Sequence, residues 1–357
     1  MTAQPLTRFT LPDELNAAEP PEARGMQRDE VRLLVADGDA IAHKRFYELP
    51  DALRPGDLLV VNTSGTMAAA IDGTRFSAHG VEPVVVHFST ELDDGTWVIE
   101  LRTAPDAGSP LLTAEAGDEV EIAGKCITLL RPYNPRPEAT YDGVRLWQVA
   151  TGQGDVREFL SRHGRPIAYK YVGARWPIES YQTVFAQTPT SAEMPSAGRP
   201  FTTELVTRLV SSGVLVAPIR LDTGVSSLES HEPPTAERYD VPAATARLVN
   251  HVRANGGRVV AVGTTAVRAL ESAADADGTV RPSSGWTNLV LGPDRKARVV
   301  SGLITGMHAP DASHLLLLEA VAGGRLVQRA YDAALQSGYL WHEFGDLCLL
   351  LPADGTN

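Results

Sequence analysis

Hydrophobic positions change their spacing along the chain, and the changes divide it. Near the start, Val31-Arg-Leu-Leu-Val35 reads as a strand, and a turn at Asp37-Gly38-Asp39 leads into Ile41–Phe46. A second turn at Arg54-Pro-Gly-Asp57 precedes the short apolar strand Leu58–Val61. From about Asp72 to Thr151 the texture becomes short β-rich runs separated by Gly, Pro and Asp: Val84–Phe88, Trp97–Leu101, Val120–Ile122, Cys126–Leu130 and Val144–Val149. Strands spaced this way without helices between them predict a small antiparallel barrel or sandwich. After Arg157 helices and strands alternate. Helices are predicted at Thr203–Ser211, Ala243–Ala254, Thr265–Ala274 and near Gly324–Gln336. Strands are predicted at Val214–Pro218, Val259–Val262, Leu303–Ile304 and Leu347–Leu351, with Val299-Val300 also strand-like. The expected fold is α/β: a discontinuous large domain (1–71 and 152–357) with a mostly parallel core, and a small antiparallel β-barrel inserted at 72–151.

Composition narrows the class. With 43% hydrophobic and 21% charged residues the chain can bury a sizeable core, which excludes dominant disorder. Its net charge of −12 argues against a general nucleic-acid coat, although a local basic patch can still act at physiological screening. Two cysteines, Cys126 and Cys348, make neither a disulfide framework nor a four-ligand zinc site. The histidines lack a His-Glu-x-x-His spacing, so no metal centre is expected. Met1–Leu15 lacks the basic start and apolar run of a signal peptide, and Leu315–Leu318 is only a short apolar patch. The expectation is a cytoplasmic protein with no membrane partner; oligomeric state is open.

Several segments have the residues for chemistry. In Arg258–Ser272 a buried strand runs into Gly263, where Thr264 or Thr265 can cap the next helix and Arg268 lies one turn on. Free N–H groups and hydroxyls there suit an anion or a ribose oxygen, and the same pattern fits an ordinary capped helix. Met194–Thr202 holds small residues, with Arg199 adding a cation, just before a helix; it reads as a ligand loop or simply as the cap. Glu237-Arg-Tyr-Asp240, after Pro233-Pro234, offers carboxylates and an aromatic face to a cation, or is a solvated turn. His308, with His314 nearby, can act as acid or base, or be structural. Finally, Arg157–Arg175 is the most basic stretch. Arg162, Arg165, Lys170 and Arg175 stand among Tyr169, Tyr171 and Trp176, as unstacked RNA bases require, or as a plain basic surface does.

In order along the chain, these pieces resemble the S-adenosylmethionine:tRNA ribosyltransferase-isomerase family of the queuosine pathway. The resemblance rests on Arg28-Asp29-x-x-Arg32-Leu33-Leu34, Leu53–Val60 with Asn62, Tyr181–Val184, Pro195–Gly198 with Phe201-Thr202, and Ala236–Tyr239. It is strongest in Gly263–Ser272 and continues through Gly302-Leu303, His308-x-Pro310 and Gly338-Tyr339…Gly345-Asp346. It implies an α/β domain with an inserted β-barrel, S-adenosylmethionine as ribosyl donor, tRNA as partner and no metal. Catalytic roles are expected for His308, Glu237 and Asp346, and cofactor contacts for Gly263, Thr264, Thr265, Arg268, Ser196, Gly198 and Tyr239. Four loops depart from the family pattern. Pro200 replaces a histidine, Asn62-Thr-Ser-Gly65 loses an acid and an arginine, Leu221–Ser227 is rewritten, and Thr305-Gly-Met-His308 keeps only its ends. Three functions therefore stand side by side: the tRNA reaction, an S-adenosylmethionine enzyme acting on a small molecule, and a non-catalytic binding protein.

Overall fold

The computed structural model describes residues 4–134, 144–152, 154–225, 235–310 and 312–353. Two strands, β1 (Arg32–Asp37) and β2 (Ala40–Arg45), open the chain, followed by β3 (Leu58–Asn62) and the short β4 (Ser64–Thr66). Six strands then form the insert: β5 (Ala70–Ser77), β6 (Gly80–Glu91), β7 (Trp97–Thr103), β8 (Glu119–Ile122), β9 (Lys125–Pro132) and β10 (Leu146–Ala150). Return to the large domain runs through α1 (Val156–His163), β11 (Thr188–Ser191), α2 (Thr203–Ser211), β12 (Leu215–Asp222), β13 (Glu237–Val241) and α3 (Ala243–Ala254). The rest comprises β14 (Val259–Val262), α4 (Thr264–Ser272), β15 (Ser283–Thr287), β16 (Gly302–Gly306), α5 (Ser313–Ala322), α6 (Gly324–Gln336) and β17 (Leu347–Leu351).

The insert is a closed antiparallel barrel in the order β10-β7-β6-β5-β8-β9. Closure leaves no exposed sheet edge. Phe88 and Trp97 meet edge-on inside it at 5.7 Å.

The large domain has a nine-stranded sheet, β15-β13-β12-β3-β14-β16-β17-β1-β2. It is mixed, which corrects the mostly parallel expectation: β12, β3, β14 and β16 run parallel, β13 runs against both β12 and β15, and β17 runs against β16 but parallel to β1. Alternation explains the burial on both faces. Leu58, Val60, Val259 and Ala261 face α3 to α6, while Leu59, Val61, Val260 and Val262 face α2 with Phe46 and Phe201. At the edge, β2 carries Lys44 and Arg45, charges that discourage further pairing.

Other expectations also change. Val299-Val300 is a loop; α5, whose leucines face almost every direction, is a helix; and Glu237–Asp240 lies within β13 rather than a turn. Pro233-Pro234 and Ser226-Ser227 lie outside the described residues.

The Val299-Val300 backbone fails to pair as a strand because Glu271 takes its donors. This carboxylate, 2% exposed, accepts N–H bonds from Arg298, Val299 and Val300 at 2.8–3.1 Å and pairs with Arg295 at 3.1 Å. Removing a buried carboxylate strands several donors at once. Glu271→Ala is expected to cost about 3–5 kcal/mol in urea unfolding, and Glu271→Gln clearly less.

Candidate active site

The mixed topology gathers one edge of the sheet into a cleft of about 500 Å³. The parallel strands β14, β16 and β12 end there, delivering Gly263–Thr265, Thr305–Ala309 and Thr223–Val225. Strands β13 and β17 run the other way, so their beginnings reach the same edge and bring Thr235, Glu237, His342 and Glu343. Leu289–Leu291, just beyond β15, close that side. Ligands in open α/β sheets occupy this carboxyl-end position because free loop ends converge there.

The β14–α4 turn depends on Gly263, whose φ of +89° is left-handed backbone that a side chain would strain. No side chain caps α4, contrary to the expectation for Thr264 or Thr265. Both threonines instead line the cleft, and among the described residues the buried Thr265 Oγ1 has no hydrogen-bond partner. Unpaired amides of the first helical turn therefore face the cleft beside an unsatisfied hydroxyl.

One turn along, Arg268 pairs with Glu237 and also donates to the Leu289 carbonyl at 3.2 Å. The two residues neutralise each other, so Glu237 is a partner for Arg268 rather than a lone base. His308 stacks on His314 at 4.5 Å, and its Nε2 lies 2.9 Å from Thr305 Oγ1. Its backbone is pinned on both sides, by the Tyr331 hydroxyl at 3.1 Å and the Trp341 indole N–H at 2.9 Å. Burial, and then the neighbouring His314 and His342, hold its pKa well below the ordinary imidazole value, so the ring is neutral at pH 7.

The remaining wall went unread in the sequence. Tyr169, Tyr171 and His342 form a column of near-parallel rings, with centroids 5.8 and 4.3 Å apart. The Tyr169 hydroxyl donates to Glu193, and that of Tyr171 to Glu343 at 2.5 Å. Burial pushes the Glu343 carboxyl up to about 7 and the His342 imidazole down to about 4. Tyr181, 4% exposed, also lines the cleft, and among the described residues its hydroxyl has no hydrogen-bond partner. Only the positions of Tyr169 and Tyr171 in the basic stretch hinted at this wall; nothing in sequence spacing ties residue 171 to 343.

Not every expected site residue reaches the cleft. Ser196 does; Gly198 and Tyr239 do not. Tyr239 is packed in the core, its hydroxyl 2.7 Å from Ser283 Oγ. Gly198 sits where an added Cβ would approach Thr183 at 3.3 Å. Asp346, expected among the catalytic residues, does not line the cleft; 4% exposed, it accepts from the Arg32 guanidinium and backbone and from the Leu340 amide. Arg199 likewise turns to Glu22, at 2.7 Å. Of the basic stretch, Arg162 pairs with Glu158 and Arg165 with Asp72; Lys170 and Arg175 are exposed and have no ion pair among the described residues. Pro200, in place of the family's histidine, is buried in a small recess that His342 and Glu343 also line. Among the described residues no group of three or more His, Cys, Asp or Glu could hold a metal ion, and no helix is long and apolar enough to cross a membrane.

Comparison with known proteins agrees with this architecture. Residues 6–350 match the family model described as "Queuosine biosynthesis protein". The S-adenosylmethionine:tRNA ribosyltransferase-isomerase of Symbiobacterium thermophilum is 35% identical, over 96% of this chain and 98% of its own. That of Thermus thermophilus is also 35% identical, with the same coverage. The crystal structure of S-adenosylmethionine tRNA ribosyltransferase from Thermotoga maritima superposes with a TM-score of 0.51 at 28% identity, over 96% of this chain and 99% of that one. The nearly full-length match, the inserted barrel and the cleft at the sheet edge lead to one conclusion: this chain is an enzyme belonging to the S-adenosylmethionine:tRNA ribosyltransferase-isomerase family of queuosine biosynthesis.

Proposed function

We propose that the enzyme transfers and isomerises the ribosyl group of S-adenosylmethionine onto a 7-aminomethyl-7-deazaguanine base in tRNA. The product carries epoxyqueuosine, and adenine and methionine leave. The observation that carries this reading is the charge of the cleft. Among the described residues its lining holds the carboxyl groups of Glu193, Glu237 and Glu343 against one guanidinium, Arg268, and two stacks of aromatic rings. Such a lining favours cations, and both the donor sulfonium and the acceptor aminomethyl group are cationic.

The uncapped start of α4 supports the donor's position. Thr264, Thr265 and the free amides of the first turn suit ribose oxygens, and among the described residues Thr265 Oγ1 lacks any other partner. Arg268, held by Glu237, closes the same wall. The sulfonium acidifies the adjacent C5′ protons. A neutral imidazole at His308 removes one, and adenine departs as the ring opens. Once its ammonium has given a proton to a cleft carboxylate, the free aminomethyl nitrogen attacks the ring-opened ribosyl group, and methionine leaves as the epoxide closes. Burial serves His308 here by keeping the ring unprotonated.

A second reading, a small-molecule acceptor, draws on the ion pairs that neutralise Arg162 and Arg165 and on the net charge of −12. Incubation with S-adenosylmethionine and the modified tRNA, followed by mass spectrometry, separates the two. Adenine and methionine appearing only with that tRNA support the first; release with the free base alone supports the second.

Variants test the assigned roles. Arg268→Ala should weaken S-adenosylmethionine binding by at least ~10-fold in calorimetry, and the gentler Thr265→Val by a few-fold. Equal affinity in both folded variants removes the donor site. His308→Ala should lower kcat by ~10²–10⁴ with donor affinity kept. Because the His308 pKa lies well below 6.5, protonation of this base should not reduce kcat between pH 8 and 6.5; an inflection at an ordinary imidazole value, lost in His308→Ala, would contradict its buried state.

A further inference from the structure

We propose that Thr305 is the positioning residue of the catalytic base: its hydroxyl accepts from His308 Nε2–H and leaves Nδ1 bare to take the C5′ proton of the donor. This assignment rests on the reaction proposed above and adds which ring nitrogen acts and what selects it.

A neutral imidazole has one N–H and one bare nitrogen, and only the bare one can act as a base. Among the described residues, the hydrogen bond of the His308 ring is the one between Nε2 and Thr305 Oγ1, at 2.9 Å. Were the threonine to donate, that bond would occupy the Nε2 lone pair while Nδ1 carried the proton, and neither nitrogen could act. With the threonine accepting, Nδ1 is the free base. The C5′–H bond then breaks as Nδ1–H forms, and the electron pair stays on C5′ beside the sulfonium.

The sheet fixes Thr305. It lies near the end of β16, 1% exposed, opposite Cys348 of β17. A β-branched side chain on a paired strand has few rotamers, so its oxygen stays where the sheet puts it. His308 follows three residues later, on the loop beyond the strand, and its peptide is fixed by Tyr331 and Trp341. His314 lies parallel to the ring, at an interplanar angle of 4°, and resists its tilting. The peptide is thus held from α6, the ring face from α5 and the ring edge from β16.

The same bond strengthens during the reaction. When Nδ1 gains a proton the ring becomes cationic, and a charged Nε2–H donor binds its acceptor more tightly than a neutral one. An interaction that grows towards the transition state raises kcat and leaves substrate binding almost unchanged. Thr305 also lines the cleft, so a direct contact with substrate is the competing role. The two roles differ in whether Thr305 matters once the imidazole is gone.

The test measures adenine release from S-adenosylmethionine with the modified tRNA. Thr305→Val, similar in shape but without the oxygen, should lower kcat by about 10-fold or more with KM within about 2-fold of wild type. Thr305→Ser, which restores the oxygen on a freer side chain, should recover most of the rate. In the His308→Ala background Thr305→Val should cost no more than about 2-fold, because no ring remains to be positioned. Nitrogen NMR of wild-type protein labelled in histidine, with the His308 signals assigned by their loss in His308→Ala, should show Nδ1 bare and Nε2 protonated. That measurement decides the matter even where Thr305→Val fails to fold. The opposite tautomer, a wild-type kcat in folded Thr305→Val, or an undiminished effect of Thr305→Val without His308 overturns the assignment. Loss of rate in His308→Ala beside a wild-type rate in Thr305→Val refutes Thr305 and leaves the base standing. A wild-type rate in His308→Ala refutes the base, and the role of Thr305 with it.

Discussion

The site depends on a backbone constraint. Strand β14 is buried on both faces between β3 and β16, so its end is fixed in space, and the chain must turn directly into α4 to cover the sheet. Gly263, at a φ of +89°, makes that turn without a side chain to strain it. Two consequences follow. The first amides of α4 open into the cleft with no cap, and Arg268 comes to rest against Glu237 on the strand next but one beyond β3. Antiparallel β17 then completes the site from the other side by starting, rather than ending, at the same edge.

Around this turn, several of the most family-like charged residues hold the fold instead of the substrate. Arg32 and Asp346 join β1 to the segment before β17. Asp57, in the Arg-Pro-Gly-Asp turn, accepts from the Arg54 amide and pairs with Arg258 at 2.5 Å, tying β3 to β14 where both begin. Glu271 gathers the amides of 298–300 beneath α4. Each is a buried carboxylate whose loss would leave donors unpaired, so such residues resist change as firmly as a catalytic group does. Asp346, expected from the resemblance to be catalytic, lies in this set of buried carboxylates rather than on the cleft lining.

Much of the architecture was legible because it is written in local periodicity. The helices at Thr203–Ser211, Ala243–Ala254 and Gly324–Gln336 have one apolar face and clear stops, and their bounds match those in the structure. Alternating runs between Gly and Pro announced the barrel. Periodicity failed where burial is all-round or where a distant group decides. Helix α5 packs leucines on most sides, so it has no polar face to reveal its turn. Val299 and Val300 have strand composition, but Glu271 captures their amides first. In strand β13 only Tyr239 and Val241 are buried, so Glu237–Asp240 offered a cation site or a solvated turn but no strand. At the site, the β14–α4 element and His308 were visible as motifs, whereas Glu343, His342 and Glu193 became visible only once the sheet had been folded. Their meeting with Tyr169 and Tyr171 is a product of strand order, which no spacing along the chain records.

The central claim is that the sheet-edge cleft holds the nucleoside sulfonium between the start of α4 and the aromatic column. The most direct measurement is a crystal structure of the protein soaked with a non-reactive aza analogue of S-adenosylmethionine. The account predicts ribose oxygens within hydrogen-bond distance of Thr264 and Thr265 and the cationic centre facing the carboxylate-lined interior. Density for the analogue away from Gly263–Arg268, with those groups still facing an unfilled cleft, would contradict it.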